Sequence, residues 1–206
     1  MNPVLESDGD FFTQKLAVVA TTAHSWDHCK YLSENKKVLH IGCSDWPIFN
    51  AKSNMHIYLK PFCNELVGVD INGLQEMQAA CPGKYYSSIE ELLFCTTEKE
   101  EWDTVLVPNI IEHLPNPGLM VEALFRLNFK TMFILVPNYK VQEQAIYEDG
   151  IFSERIHPDH YAWYSPYTLY NLIKKPIDPT TSDHQYEIKM MFFDNQNMIS
   201  ILITKI

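Results

Sequence analysis

Short runs of consecutive apolar residues alternate with amphipathic stretches through most of the chain. Lys37–Ile41 (KVLHI), Leu66–Asp70 (LVGVD), Thr104–Val107 and Thr131–Val136 (TMFILV) lack the polar alternation of a half-exposed strand. They read as strands buried on both faces, the pattern of a parallel sheet. Between them, helices are predicted over about 50–60, Gly73–Ala80, Ile89–Cys95 and Leu119–Leu127, with a further short strand near Tyr85. Strands separated by helices require right-handed crossovers, so the predicted architecture is a parallel sheet with helices on both faces. Upstream, Phe11, Phe12, Leu16, Val19 and Trp26 fall roughly on one helical face, which predicts an N-terminal helical cap over residues 1–34 and a core over 35–206. Past Ser165 the rhythm changes. A helix to about Lys174 is followed by two β-rich runs, Tyr186–Phe193 and Met198–Thr204, joined by Asp194, Asn195 and Gln196. That spacing predicts an antiparallel hairpin.

In open parallel sheets, ligands bind beyond the carboxyl ends of the strands, near the place where strand order reverses. The loops beginning at Gly42, Asp70, Pro108 and Pro137 are therefore the candidates. Gly42 permits close backbone approach, and Asp70 can accept both hydroxyls of a ribose, which together suggest an adenosine-bearing cofactor. The plainer reading is a turn glycine followed by a helix-capping aspartate.

Composition narrows the partners. A length of 206 residues, 46% hydrophobic, suits one domain with one core. The formal charge of −10, with Arg126 and Arg155 the two arginines, argues against a long nucleic-acid partner, which needs clustered cations. The five cysteines form no C-x-x-C pair, so reduced thiols in a cytoplasmic protein are expected rather than a disulfide framework or zinc ribbon. No apolar run approaches the roughly 20 residues that span a bilayer, and no targeting signal, repeat or long linker is visible. A monomer or homodimer acting on a small molecule is expected.

In order, KVLHIGCSDWP, LVGVD, WDTVLVPNIIEHLPNPG, FILVPN and HPDHYAWYSPYTL resemble the motifs of class I S-adenosylmethionine-dependent methyltransferases, in particular the bacterial type with E-H-L and H-P-D-H motifs. The resemblance runs from about Lys37 to Leu169. It implies a Rossmann-like α/β three-layer sandwich whose seven-stranded, mostly parallel sheet ends in the antiparallel hairpin. It also implies S-adenosyl-L-methionine as cofactor: Gly42, Cys43 and Ser44 against the methionine part, Asp70 on the ribose, Ile71 on the adenine, Ser88 near the adenine amine, and Asn109 beside the methyl donor. The chain departs from the pattern where His40 replaces an acid and where Ser44 and Trp46 replace two loop glycines; the bulk of Trp46 would narrow the approach.

Methyl transfer needs an aligned acceptor, and a base helps when the acceptor is a hydroxyl. His160 and His157, flanking Asp159, are the favoured bases, with His113 beside Glu112 as a third candidate. Each motif also has a structural reading: Glu112 and His113 as loop orienters, H-P-D-H as a proline turn, and Tyr161, Trp163, Tyr164 and Tyr167 as lid or core packing. NIIEH and DHYAW further resemble the metal motifs of small-RNA 2′-O-methyltransferases, which implies a partial divalent-metal set of Glu112, His113 and His160, with Asn109 replacing a first glutamate. The expected function is O-methylation of a small polar acceptor, such as a sugar or a glycan or natural-product precursor, without a metal; N-methylation stays open. The alternatives are a non-catalytic binding or scaffold protein and an NAD-dependent enzyme, the latter disfavoured because no G-x-G-x-x-G follows the first strand.

Overall fold

The computed structural model describes residues 4–8, 11–21, 23–96, 100–139, 146–148, 151–153, 157–178 and 184–206. Its centre is an eight-stranded sheet in the order β3-β11-β12-β8-β7-β4-β5-β6. The strands are β3 (Val18–Ala20), β4 (Lys37–Ile41), β5 (Glu65–Val69), β6 (Lys84–Tyr86), β7 (Glu101–Pro108), β8 (Asn128–Pro137), β11 (Tyr186–Phe193) and β12 (Met198–Lys205). From β6 through β8 the neighbours are parallel; β12 is antiparallel to both β8 and β11. Successive strands run outward from β4 to β6 and then, starting again at β7, outward on the other side. The order therefore reverses between β4 and β7, where such sheets place their ligands.

Alternate residues of each central strand enter opposite cores, as the period of two requires. Leu39, Val105, Val107, Met132 and Ile134 enter one core, and Val38, Leu106, Phe133 and Leu135 the other. The first is covered by Leu92 of α4 (Ile89–Cys95), Leu124 of α5 (Pro117–Leu124) and Ile173 of α6 (Pro166–Ile177). The second is covered by Leu32 of α1 (Ser25–Ser33) and Leu59 of α2 (Met55–Leu59). With α3 (Leu74–Ala80) after β5, this is the expected three-layer α/β sandwich. The start of α6 is fixed by Pro166 in its first turn and by a reciprocal capping box between Ser165 and Thr168.

Three expectations need correction. The N-terminal helical cap is only α1: β1 (Val4–Asp8) pairs with β2 (Phe11–Lys15), and β3 follows. Because β3 adds to β11 in parallel, the sheet has eight strands rather than seven. Thr13, Val18 and Val19 suit a strand, and a free edge on β11 supplies the partner that local sequence does not reveal. The helix expected over about 50–60 is reduced to α2 and a 3-10 turn, Lys60–Phe62, since its N-cap is Asn54, whose side chain accepts from the Ile57 amide. Elsewhere β9 (Ile146–Glu148) and β10 (Ile151–Ser153) form a second antiparallel pair. The C-terminal hairpin has the predicted turn, with Asp194, Asn195 and Gln196 all at positive φ. All five cysteines are free thiols, and among the described residues no helix is long and apolar enough to cross a membrane.

Candidate functional site

At the switch point, the turn after β4 is fastened on three sides. Gly42 adopts φ +77°, and its amide donates to the Val69 carbonyl at 2.7 Å; the Cys43 amide shares that acceptor at 3.3 Å. The Ser44 amide donates to Asp70 Oδ2 at 2.9 Å. Asn54 braces the turn from behind, donating to the Cys43 carbonyl at 2.8 Å and to Asp45 Oδ2 at 3.0 Å. The amides expected to face a ligand are thus engaged within the protein, and Cys43 and Ser44 are buried. A β-carbon on Gly42 would lie 1.9 Å from Ile110 Cδ1, so Ile110, from the loop after β7, is seated directly on this glycine. Trp46 is 48% exposed, with its Cβ packed near Gly73; Ile110, rather than Trp46, covers Gly42.

At the end of β5 the arrangement is open. Asp70 takes one backbone N–H on each carboxylate oxygen, from Ser44 on Oδ2 and from Asn72 on Oδ1 at 3.3 Å. A carboxylate has about four lone-pair sites, so each oxygen retains capacity for a hydroxyl. Next to it, Ile71 is 78% exposed and offers an unpartnered apolar face. Ser88 lies at the start of α4, where its hydroxyl accepts from the Glu91 amide at 3.0 Å as an N-cap. Asn109, exposed and at φ +53°, turns the chain out of β7 while its amide donates to the Leu135 carbonyl.

The mouth beside this turn is made by two loops stitched together. The amides of Tyr161 and Ala162 both donate to the Glu112 carbonyl, and the Tyr139 amide donates to the Tyr164 carbonyl. Buried Tyr164 joins Ile111 in the core. These bonds carry residues 157–164 onto the ends of β7 and β8 and bring His157 and His160 to His113. The ring centroids are 4.7 Å apart for His113 and His160, 4.8 Å for His157 and His160, and 5.6 Å for His113 and His157. Burial, aided by the His113 and His157 imidazoles, lowers His160 to about 4; burial also lowers His113, partly offset by a backbone hydrogen bond with Asp159. Trp163 stands edge-on to His160 at 5.6 Å, while Tyr161 is exposed.

Glu112 is 1% exposed, and apart from its own backbone amide neither carboxyl oxygen has a hydrogen-bond partner among the described residues. Burial pushes its acid up to about 8. The metal set implied by resemblance is not what the loops assemble. The residues brought within 4.8 Å by their ligand atoms are His113, His157 and His160, with Glu112 outside that group.

Ile110 and Asn54 were not among the residues expected at the site. Asn54 carries a weak signal, an asparagine three residues before the capped amide at Ile57; Ile110 carries none, because its role depends on contact with Gly42 across the sheet.

No protein-family model matches the sequence, and no curated protein matches it either. Solved structures do. A methyltransferase from Archaeoglobus fulgidus that depends on S-adenosylmethionine superposes with a TM-score of 0.58 at 18% identity, over 87% of this chain and 90% of its own. The fold is that of S-adenosylmethionine-dependent methyltransferases. The N-methyltransferase NodS from Bradyrhizobium japonicum WM9 gives 0.54 at 14% identity, over 88% of this chain and 94% of its own. A chain of the Pnkp1/Rnl/Hen1 RNA repair complex gives 0.60 at 16% identity; the match spans 87% of the present chain and only 40% of that one.

Proposed function

We propose that this protein is an S-adenosylmethionine-dependent methyltransferase that methylates a hydroxyl of a small polar acceptor, such as a sugar or a glycan or natural-product precursor. The observation that carries the reading is the Ser44–Asp70 bond. It locks a carboxylate with spare lone pairs to the turn at the switch point, beside the exposed face of Ile71. The bound cofactor supplies an electrophilic methyl on a sulfonium. Asp70 takes the ribose hydroxyls, Ile71 the adenine face, and the backbone of Gly42, Cys43 and Ser44 with Asn109 bounds the methionine end. The acceptor lies at the histidine mouth, which continues from the same loop as Ile110. There the cofactor would offer its methyl to the acceptor oxygen, and His160 or His157 would take the hydroxyl proton. Orientation at this mouth supplies most of the acceleration, and a positioned base adds about 10²–10⁴-fold.

The formal charge of −10 weighs against RNA as the acceptor, even though one similar structure belongs to an RNA repair complex. Incubation with methyl-labelled S-adenosylmethionine and separate panels of sugars, sugar nucleotides, amines and RNA 3′ ends tests the class. Label in a sugar or sugar nucleotide is expected; label confined to amines or RNA would reject the hydroxyl of a small acceptor.

A second reading, a non-catalytic binding protein, draws on one observation. Ile110 occupies the space over Gly42 and the neighbouring amides are already bonded. It predicts no heat on titration with S-adenosylmethionine at millimolar concentration.

A further inference from the structure

Three imidazoles from two loops meet at the mouth. Each offers a ring nitrogen, and the three nitrogens lie within 4.8 Å of one another. Buried His160 Nδ1 has no hydrogen-bond partner among the described residues. His157 is exposed, and its own contact, Nδ1 accepting from the Asp159 amide, is long at 3.3 Å. Three ring nitrogens this close to one another form a donor set that a single cation could engage at once.

We propose that His113, His157 and His160 bind one divalent transition-metal ion of the zinc type through nitrogen alone, leaving a fourth position open towards solvent. The proposal differs from the carboxylate-containing set implied by resemblance in two ways. His157 is a ligand, and Glu112, buried in the protein and outside the group, is not. Imidazole suits zinc, cobalt, nickel and copper, whereas magnesium requires oxygen donors, so the ligand set also chooses the metal class. Tetrahedral zinc with nitrogens at about 2.0–2.1 Å holds them roughly 3.4 Å apart. No pair lies more than 4.8 Å apart, so none must close by more than about 1.4 Å, within reach of rotation of the exposed His157 ring and loss of its long contact. Three protein ligands with one open position is the arrangement of zinc sites that also take a water or substrate. In the metal-free protein His160 and His157 stay available as bases, as proposed above; in the loaded protein the rings are ligands, and an acceptor hydroxyl would meet the ion instead. Only that last step rests on the methyltransferase reading; ion binding does not.

Chelator-treated full-length protein titrated with Co²⁺ and then Zn²⁺ provides the test. One equivalent of Co²⁺ should produce the visible absorption of a tetrahedral nitrogen site; one equivalent of Zn²⁺ should abolish it, and millimolar Mg²⁺ should not. His157→Ala, at an exposed position, should keep its circular dichroism while losing at least about 100-fold in zinc affinity, more than the usual cost of an outer contact. Glu112→Gln should bind as the parent does. Absence of a one-equivalent site, displacement by Mg²⁺, unchanged affinity in His157→Ala, or lost affinity in Glu112→Gln would each overturn the proposal. Calorimetry with S-adenosylhomocysteine on the metal-free protein separates the two ideas. Cofactor binding without zinc binding removes the metal alone, and zinc binding without cofactor binding removes the methyltransferase reading alone.

Discussion

The turn after β4 and the mouth formed by the loop after β7 stand side by side at the centre of the sheet, but their polar groups are in opposite conditions. Around Gly42 the donors are matched: the amides of residues 42 to 44 reach Val69 and Asp70, and Asn54 ties off the Cys43 carbonyl. At the mouth, Nδ1 of His160 has no hydrogen-bond partner among the described residues, and the carboxyl oxygens of buried Glu112 have none there beyond its own backbone amide. Buried polar groups normally find one, because leaving a donor or acceptor unsatisfied costs about 1–3 kcal/mol. The turn is held in shape by its own hydrogen bonds, whereas the polar groups at the mouth are not matched within the protein. On the proposed function, the strand ends would position the cofactor and the histidine loops would carry the chemistry.

The largest effect that could break the comparison is on turnover. His160→Ala should lower kcat by about 10²–10⁴-fold while leaving S-adenosylhomocysteine affinity at the parent value. Equal turnover would remove His160 from the chemistry, and a joint loss of affinity would show that the two regions are not separable.

Stability below neutral pH comes next, and it concerns the buried floor beneath the turn. His40 Nδ1 and His56 Nδ1 lie 3.3 Å apart, the rings stacked, with Tyr85 against His56 and Lys60 nearby. Burial lowers His40 to about 4; burial, with His40 and Lys60, lowers His56 as well. An unfolded histidine takes its proton near 6.5, whereas the folded pair refuses it, so their contribution is present above pH 6.5 and is lost as pH falls towards 4. The slope is about 1.4 kcal/mol per pH unit for each histidine that stays neutral. Urea unfolding from pH 7.5 to 4.5 should show this decline, and His40→Leu should flatten it; identical slopes would mean that the pair is not neutral in the fold.

The smallest effect separates a cap from a contact. Ser88→Ala should reduce stability by about 1 kcal/mol through loss of the α4 N-cap, measured by urea denaturation, and leave cofactor affinity unchanged. Weakened cofactor binding with intact stability would instead place Ser88 at the adenine.

The central strands were legible because TMFILV and LVGV permit little else, and the Asp194–Gln196 turn because two long β-rich runs flank it. The N-terminal segment was not. Phe11, Phe12, Leu16 and Val19 match a helical face, but the partner that makes β3 a strand is β11, more than 160 residues away. The site divides similarly. Asp70 and Gly42 are candidates by their places at strand ends, and the histidines by their chemistry. Which histidines meet depends on Tyr161 and Ala162 reaching the Glu112 carbonyl, and Ile110 on Gly42 is likewise a long-range contact. Local pattern contains neither.

The central claim is that Asp70 pins an adenosyl group beside the β4 turn, and calorimetric titration with S-adenosylhomocysteine, on the parent and on Asp70→Ala, tests it most directly. The account predicts saturable one-site binding by the parent and a loss of about 1.5–3 kcal/mol in the variant, the range for hydrogen bonds to a charged group. Equal affinity in the two proteins, or no binding by the parent at millimolar ligand, would contradict it.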